Sequence, residues 1–95
     1  MSETSCVLLW NRPGMETVLA EYEDAVLAMV GEHGGKILER VRGDGRDGNP
    51  LEVHLYEWPS ATAREAYMSD PRRVAMAAQR DSAIARTDIF VVELV

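Results

Sequence analysis

The order of strand-like and helix-like segments is the feature that most restricts how this chain can fold. Residues 6–10 (Cys-Val-Leu-Leu-Trp) are typical of a short strand, and apolar side chains recur every three or four positions over residues 15–33, as on an amphipathic helix. Residues 36–42 and 51–58 predict two further strands, separated by a loop at 43–50 that is rich in Gly, Asp and Asn. The first half is therefore predicted to be strand, helix, strand, strand.

The second half predicts two helices and a closing strand. Ser60 and Asp70 are of the residue types that cap helix N-termini, and a proline after Asp70 suits the first helical position. Helices are therefore predicted to begin after each cap and to run to residue 68 and to about residue 85, and the β-branched run at 87–94 predicts the last strand. A β-α-β-β-α-β order with right-handed crossovers predicts an α+β, ferredoxin-like fold, in which helices cover one face of a four-stranded antiparallel sheet.

The first and last strands are apolar on both faces. Every residue of 6–10 and of 89–92 is apolar, whereas an antiparallel sheet with one wet face should alternate apolar with polar side chains. Helices cover only one face, so the other needs a separate cover, and a second copy on a twofold axis is the simplest. We therefore predict a homodimer. The alternative, one edge strand with an excess of apolar residues, fits less well because two strands show the pattern.

Length and charge restrict the class of protein. Ninety-five residues support one core, so residues 1–95 are predicted to form a single domain. The net charge of -6 argues against nucleic-acid and polybasic membrane partners. The apolar runs are too short for a membrane span and the first residues lack the basic region of a signal peptide, so a cytoplasmic location is expected. Cys6 is the only cysteine and the two histidines have no partners at ligand spacing, so neither a disulfide nor a metal site is expected.

Short motifs are spread over nearly the whole chain: Tyr22, Gly-Gly-Lys-Ile-Leu-Glu-Arg at 34–40, Tyr-Glu-Trp-Pro-Ser at 56–60, Asp-Pro at 70–71, and Arg80. Together they resemble a bacterial family of unknown function in the dimeric α/β-barrel superfamily. That superfamily contains the antibiotic-biosynthesis monooxygenases and the barrel-type polyketide cyclases. The resemblance therefore implies a dimeric α/β barrel with a pocket between the sheet and the helices.

The resemblance carries over parts of two catalytic sets. Trp58 matches a Trp of the monooxygenases, whereas His54 stands at the position of their Asn and Arg64 at that of their Tyr. Tyr67 matches a Tyr of the olivetolic-acid-type cyclase, but Arg73 occupies the position of its catalytic His. Neither set is complete.

His54 and Tyr67 are the candidate catalytic residues. Strand alternation places His54 on one face with Tyr56 and Trp58, where a neutral imidazole could act as a base near neutral pH. A histidine bonded to a backbone group in the core, or at the rim of the dimer interface, is an equally good interpretation. Tyr67 would donate a hydrogen bond to a developing oxyanion, although packing is the commoner role of a helical tyrosine.

Four residues are candidates for substrate binding: Trp58, Arg73, Tyr22 and Arg80. The two arginines are seven residues apart on one predicted helix face and could hold a carboxylate, enolate or phenolate. They could instead pair with Asp70 and Asp81 at the surface. For the two aromatic residues, packing is the alternative to ligand contact.

These features predict a cofactor-independent small-molecule enzyme, and the resemblance implies a role in bacterial specialised metabolism. The resemblance also implies an aromatic or polyketide-like substrate and a cyclisation or monooxygenation driven by proton transfer. The alternative is a non-catalytic ligand-binding or accessory dimer, which the incomplete catalytic sets favour. Whether the pocket lies between sheet and helices or at the dimer interface stays open.

Overall fold

A four-stranded antiparallel sheet organises the protein, which is represented by a computed structural model that describes residues 2–95. Its strands lie in the order β2-β3-β1-β4, so β2 and β4 form the edges. The strands are β1 (Glu3–Asn11), β2 (Lys36–Arg42), β3 (Glu52–Trp58) and β4 (Ile84–Val92).

Four α-helices connect the strands. They are α1 (Glu16–Leu27) between β1 and β2, and α2 (Ala61–Met68), α3 (Pro71–Val74) and α4 (Ala77–Ala83) between β3 and β4. This is the predicted ferredoxin-like fold. In the described residues, no helix is long and apolar enough to cross a lipid bilayer.

The predicted helix caps are confirmed. The Ser60 hydroxyl accepts a hydrogen bond from the Ala63 amide at 3.1 Å, and the Asp70 carboxylate accepts one from the Arg72 amide at 2.9 Å. These side chains satisfy amides that the first helical turn leaves without a partner. Strand β2 also has the predicted bounds, because glycines limit it on both sides.

Two predicted helix ends are wrong. Helix α1 ends at Leu27, and a turn and a 3-10 helix, Gly31–His33, fill the remaining distance to Gly34, which adopts the left-handed conformation that ends such segments. The helix predicted to reach about residue 85 is instead α3 and α4, with a break at residues 75–76. Strand β4 already begins at Ile84, because this β-branched residue pairs with Asn11 of β1.

Strand β3 turns its polar side toward the helices. Glu52, His54, Tyr56 and Trp58 are buried, whereas the apolar residues between them are only half-buried. The neighbouring strand β1 places Val7 and Leu9 on the same buried face. Core residues of α1 and α2 pack on that face: Leu19, Tyr22, Val26 and Tyr67.

A bulge in β2 brings charged residues to the buried face. Ile37 pairs with Tyr56 and Glu39 pairs with Leu55, so Leu38 is an extra residue without a partner in β3. Beyond the bulge, Arg40 and Arg42 therefore share the face of the buried residues of β3.

The opposite face of the sheet is largely apolar. Leu8 pairs with Val53, and Cys6 lies between Leu55 and Phe90, so these side chains form one continuous surface. Phe90 is 46% exposed. None of the helices in residues 2–95 packs on this face, which we call the open face.

Gly35 provides the space into which Trp58 packs. A Cβ atom at Gly35 would lie 2.5 Å from Cζ3 of Trp58 and 2.8 Å from Cγ1 of Val30, closer than such atoms approach. Gly35→Ala should therefore lower the free energy of unfolding by about 1–3 kcal/mol through overpacking. Gly31→Ala is the matched control, because its Cβ would meet nothing within 4 Å. Urea unfolding measures both variants, and equal stability would contradict this account of the packing.

Candidate functional site

A small cavity lies between the sheet and the helices. Its volume is about 40 Å³, and apolar side chains of β1 and β4 form part of its wall. Its polar lining consists of Tyr22 and Glu23 from α1, Tyr56 from β3, Tyr67 from α2, Arg73 from α3, Arg80 from α4 and Thr87 from β4. Four of the six residues proposed from the sequence meet here: Tyr22, Tyr67, Arg73 and Arg80.

The other two candidates, His54 and Trp58, lie behind the cavity wall. His54 has no exposed surface, and its ring is bonded to Tyr56, which does line the cavity. Trp58 packs against Tyr67 with ring centroids 5.1 Å apart and lines a smaller adjoining cavity of about 10 Å³. The predicted shared face of His54, Tyr56 and Trp58 is thus present, but His54 reaches the cavity only through Tyr56.

Three side chains of β3 form a buried chain of hydrogen bonds. A carboxylate only accepts, so Nε2–H of His54 donates to Oε1 of Glu52 at 2.8 Å. In the neutral ring Nδ1 then accepts the hydrogen bond from the Tyr56 hydroxyl at 2.7 Å. The spacing of two residues along a strand brings these groups to one face.

Glu52 is a buried charge held by cations. Burial raises its pKa, but hydrogen bonds from His54 and Arg40 outweigh that effect and lower the pKa to about 2. Arg40 donates from Nε to Oε1 of Glu52 at 2.8 Å, and Arg42 donates from Nη2 to Oε2 at 3.3 Å. Arg40 also donates to the exposed carboxylate of Asp24 at 2.6 Å. Glu52 is therefore ionised at neutral pH, and its ion pairs extend to the protein surface.

Glu23 is a second buried acid, and it faces the cavity. It is 5% exposed and has no hydrogen-bonding partner for its carboxyl group within the described residues. Burial raises its pKa to about 7; the charge of Glu52 adds to this shift, and the charge that His54 carries when protonated opposes it. The carboxyl group of Glu23 can therefore gain or lose a proton near neutral pH.

The three phenols of the cavity stay protonated. Burial raises the pKa of Tyr67 to about 12 although the charge of Arg73 lowers it, and burial raises the pKa values of Tyr22 and Tyr56 as well. The guanidinium of Arg73 lies 4.5 Å from the centre of the Tyr67 ring. The cavity therefore combines hydroxyl donors with a cation.

Arg73 and Arg80 do not form the surface pairs considered from the sequence. Asp70 is bound by Arg72 at 2.9 Å and by His33 at 2.8 Å, and these hydrogen bonds, that of Arg72 foremost, hold its pKa well below the usual range. Asp81 contributes its backbone carbonyl to Arg12. Over residues 2–95, neither Arg73 nor Arg80 has a carboxylate partner. The two arginines were predicted to lie on one helix, but Arg73 belongs to α3 and Arg80 to α4.

Glu23, Glu52 and Tyr56 belong to the site but were not among the residues proposed from the sequence. Glu23 lies four residues from both Leu19 and Leu27 and shares their buried side, whereas the other acids of α1 are exposed. This spacing is the signal that could have found it. Glu52 begins the alternation that also contains His54, so its position was visible, but not the burial of that face.

Metal-binding side chains are not clustered. Across the part of the chain that is described, no three His, Cys, Asp or Glu residues lie together as in a metal site. Cys6 lies half-buried on the open face, where burial raises the pKa of its thiol.

Several solved structures are similar to this chain in fold. A protein of unknown function from Rhodopseudomonas palustris matches with a TM-score of 0.80 at 17% identity, over 99% of this chain and 82% of that one. An uncharacterised NIPSNAP-like domain protein from Burkholderia xenovorans matches with a TM-score of 0.78 at 13% identity, over 99% of this chain and 85% of that one. A dimeric protein of unknown function and ferredoxin-like fold from Bacteroides fragilis matches with a TM-score of 0.71 at 15% identity, over 98% of this chain and 96% of that one.

The comparisons support the fold and do not extend to an activity. No protein-family model matches the sequence. A search of curated proteins finds no significant match. The three proteins are uncharacterised or of unknown function, so they do not connect this chain to the monooxygenases or the cyclases.

The raised pKa of Glu23 predicts a pH dependence of stability. Between its ordinary value of 4.5 and about 7 the folded protein keeps a proton that the unfolded chain has released. The contribution of Glu23 to stability therefore falls as the pH rises through this window, by up to about 3 kcal/mol at about 1.4 kcal/mol per pKa unit. Glu23→Gln cannot ionise, so it should gain stability relative to the wild type between pH 4.5 and 8.

Urea unfolding across this pH range measures the difference in free energy between the two proteins. Glu21→Gln is the matched control, since Glu21 is exposed on the same helix. A difference for Glu23→Gln that does not change with pH would show that Glu23 titrates as an ordinary carboxyl group.

Proposed function

We propose that this protein is a cofactor-independent enzyme that removes a proton from a small anionic metabolite in the cavity between sheet and helices. The observation that carries the proposal is the carboxyl group of Glu23, which is buried, faces the cavity and has a pKa raised to about 7. A positioned base with a pKa near the working pH is effective in proton transfer. The lining phenols and arginines would bind the negative charge that the reaction creates.

The reaction starts when the ionised carboxylate of Glu23 takes a proton from a phenol or an activated methylene. The electron pair left on the ligand becomes a phenolate or enolate. The guanidinium of Arg73 balances this charge, and the Tyr67 hydroxyl donates a hydrogen bond to the oxygen that carries it. Arg80 and Tyr22 would hold a carboxylate or hydroxyl group elsewhere on the ligand.

His54 and Trp58 keep roles in this proposal, but neither would touch the ligand through the main cavity. His54 would orient the hydroxyl group of Tyr56 through the hydrogen bond between them. Trp58 supports the ring of Tyr67 from behind. A planar ligand also suits the aromatic walls.

An aromatic or polyketide-like substrate is consistent with this chemistry. Cyclisation and cofactor-independent oxygenation of such compounds, the two activities considered from the sequence, both begin by removing a proton from a phenol or an activated methylene. A role in bacterial specialised metabolism remains part of the proposal.

The size of the cavity requires side-chain movement. A volume of about 40 Å³ is close to the share of one liquid water molecule, about 30 Å³. Met68 and Ile89 line the cavity and are partly exposed, 38% and 42%, so they can move without opening the core. We expect them to shift when a ligand enters.

The homodimer is the second part of the proposal. Leu8, Val53, Leu55 and Phe90 form a continuous apolar surface on the open face. A large exposed apolar patch on a small domain usually marks a contact surface. The Bacteroides fragilis structure of similar fold is described as dimeric. Two open faces packed around a twofold axis would bury this surface.

A single substitution on the open face should separate the subunits. Phe90→Asp would place a carboxylate within the proposed interface, so we expect the protein to change from a dimer to a monomer at micromolar concentration. Val74→Asp is the matched control, because Val74 is 62% exposed but lies on α3, in the helical layer. Light scattering measures the mass, and a monomeric wild type would refute the dimer.

A non-catalytic ligand-binding dimer is the second candidate function. The incomplete catalytic sets favour it, since His54 and Arg73 replace the residues of the resembled enzymes. The two functions differ in one measurable property, because only an enzyme accelerates the exchange of ligand protons with solvent.

Deuterium exchange tests the enzymatic proposal. Acetoacetate in D₂O serves as the simplest anionic probe with an activated methylene, and proton NMR follows the loss of its C2 signal. We expect wild-type protein to accelerate exchange, with a rate that rises with pH through about 7 as Glu23 ionises. Glu23→Gln should reduce the rate by about a hundredfold or more, whereas Glu21→Gln should not.

Binding of 4-hydroxy-6-methyl-2-pyrone, an anionic ring compound, is measured by calorimetry in parallel. Binding without exchange of acetoacetate by wild-type protein would favour the non-catalytic alternative. Full exchange by Glu23→Gln would reject Glu23 as the base.

A further inference from the structure

We propose that Glu52, His54 and Tyr56 form a proton relay along β3, in which the hydroxyl of Tyr56 exchanges a proton with an oxygen atom of the ligand. This inference rests on the proposed function, because it supplies the proton donor that complements Glu23. Tyr56 would be a catalytic residue, whereas His54 and Glu52 would be positioning residues that act through it.

The geometry of the three side chains supports the relay. The contacts of 2.7 and 2.8 Å are hydrogen bonds on both ring nitrogens of His54, which fix the orientation of the imidazole. His54 and Glu52 have no exposed surface, and Tyr56 is 6% exposed, so water does not compete for these bonds. Only Tyr56 also lines the cavity. A carboxylate, an imidazole and a hydroxyl group in this order are the arrangement by which an imidazole accepts and returns the proton of a hydroxyl.

The proton transfer balances without an additional reactant. In the base direction, the ligand gives its proton to the Tyr56 oxygen while the Tyr56 hydroxyl proton passes to Nδ1 of His54. The ligand becomes an anion and His54 an imidazolium, while Tyr56 remains neutral. In the acid direction the steps reverse. The ligand oxygen receives the hydroxyl proton of Tyr56, and the His54 imidazolium returns its Nδ1 proton to the Tyr56 oxygen.

Glu52 is the counter-charge that the imidazolium would have, with its carboxylate 2.8 Å from Nε2 of His54. Its carboxylate is held by Arg40 and Arg42 and does not need to take up the proton itself. Tyr56 is also surrounded by Glu23 from α1, Tyr67 from α2 and Arg73 from α3. Because Tyr56 gives up one proton as it receives another, no charge has to form on its buried oxygen.

Together, Glu23 and Tyr56 would make the site a catalyst for keto–enol isomerisation. In the ketone-to-enol direction, ionised Glu23 takes a proton from carbon while Tyr56 delivers its proton to the carbonyl oxygen and receives the Nδ1 proton of a His54 imidazolium. In the enol-to-ketone direction, Tyr56 takes the proton of the enol oxygen and passes its own to neutral His54, while protonated Glu23 returns a proton to carbon. The substrate class is therefore a small anion with a carbonyl group next to an activated methylene.

The tautomer of His54 tests the relay without any substrate. In protein with ¹⁵N-labelled histidine, NMR at pH 8 should show a protonated Nε2 and an unprotonated Nδ1 for His54. His33, the only other histidine, is partly exposed and serves as an internal reference. Tyr56→Phe should shift the Nδ1 resonance of His54, whereas Tyr22→Phe removes a phenol of the same cavity and should not. A protonated Nδ1 in neutral His54, or no shift in Tyr56→Phe, would overturn the proposal.

Exchange kinetics with acetoacetate test the catalytic role. Tyr56→Phe and Glu52→Gln should each lower the catalytic rate constant by about a hundredfold. For Glu52→Gln the KM should stay unchanged, because Glu52 does not touch the ligand. Circular dichroism checks that each variant is folded. If a variant does not fold, the His54 tautomer measured by NMR in wild-type protein still tests the relay.

The two proposals can fail separately. If wild-type protein exchanges acetoacetate and Tyr56→Phe keeps the full rate, the relay is wrong and the proposed function stands. If wild-type protein exchanges nothing, the proposed function is wrong, and the relay as a catalytic device fails with it even where the tautomer is as expected.

Discussion

The buried carboxylate of Glu52 is the constraint on which the arrangement of this protein depends. An ionised group with no exposed surface costs several kcal/mol unless it is paired and hydrogen-bonded. His54, Arg40 and Arg42 supply those partners, and all of them lie on the same face of the sheet. Because side chains alternate along a strand, fixing Glu52 inward also fixes His54 and Tyr56 inward, and it turns Val53 and Leu55 outward. The polar cavity and the apolar open face are thus two results of one strand orientation.

Local signals explain which parts of the fold could be predicted from the sequence. The N-caps Ser60 and Asp70 and the strand limits at glycines depend on a few neighbouring residues, and these predictions are confirmed. The end of α4 depends on tertiary pairing, because Ile84 pairs with Asn11 of β1, and it was predicted wrongly, as were the end of α1 and the continuity of α3 with α4. A period of two residues identifies the faces of β3, but it does not show that the polar face is the buried one.

The sequence predicted most of the polar residues that line the candidate site, but it did not predict which residues lie behind the cavity wall. Tyr22, Tyr67, Arg73 and Arg80 line the cavity, while the position of His54 behind Tyr56 follows from three-dimensional packing that no spacing in the sequence encodes. The adjacent arginines 72 and 73 show the same limit. Arg72 joins a surface network with Glu32 and Asp70, and Arg73 turns to the Tyr67 ring.

The single extra residue in β2 makes the chain sensitive to changes of length in an edge strand. Because Leu38 has no partner in β3, Arg40 and Arg42 point to Glu52 while Val41 lies on the open face. Deleting one residue there would exchange the two sides of the strand beyond it, turning Val41 inward and both arginines outward. A buried anion would lose two of its cations, and the apolar surface would gain two charges. We therefore expect homologous chains to differ in length in the neighbouring loop at 43–50 rather than by a single residue within β2.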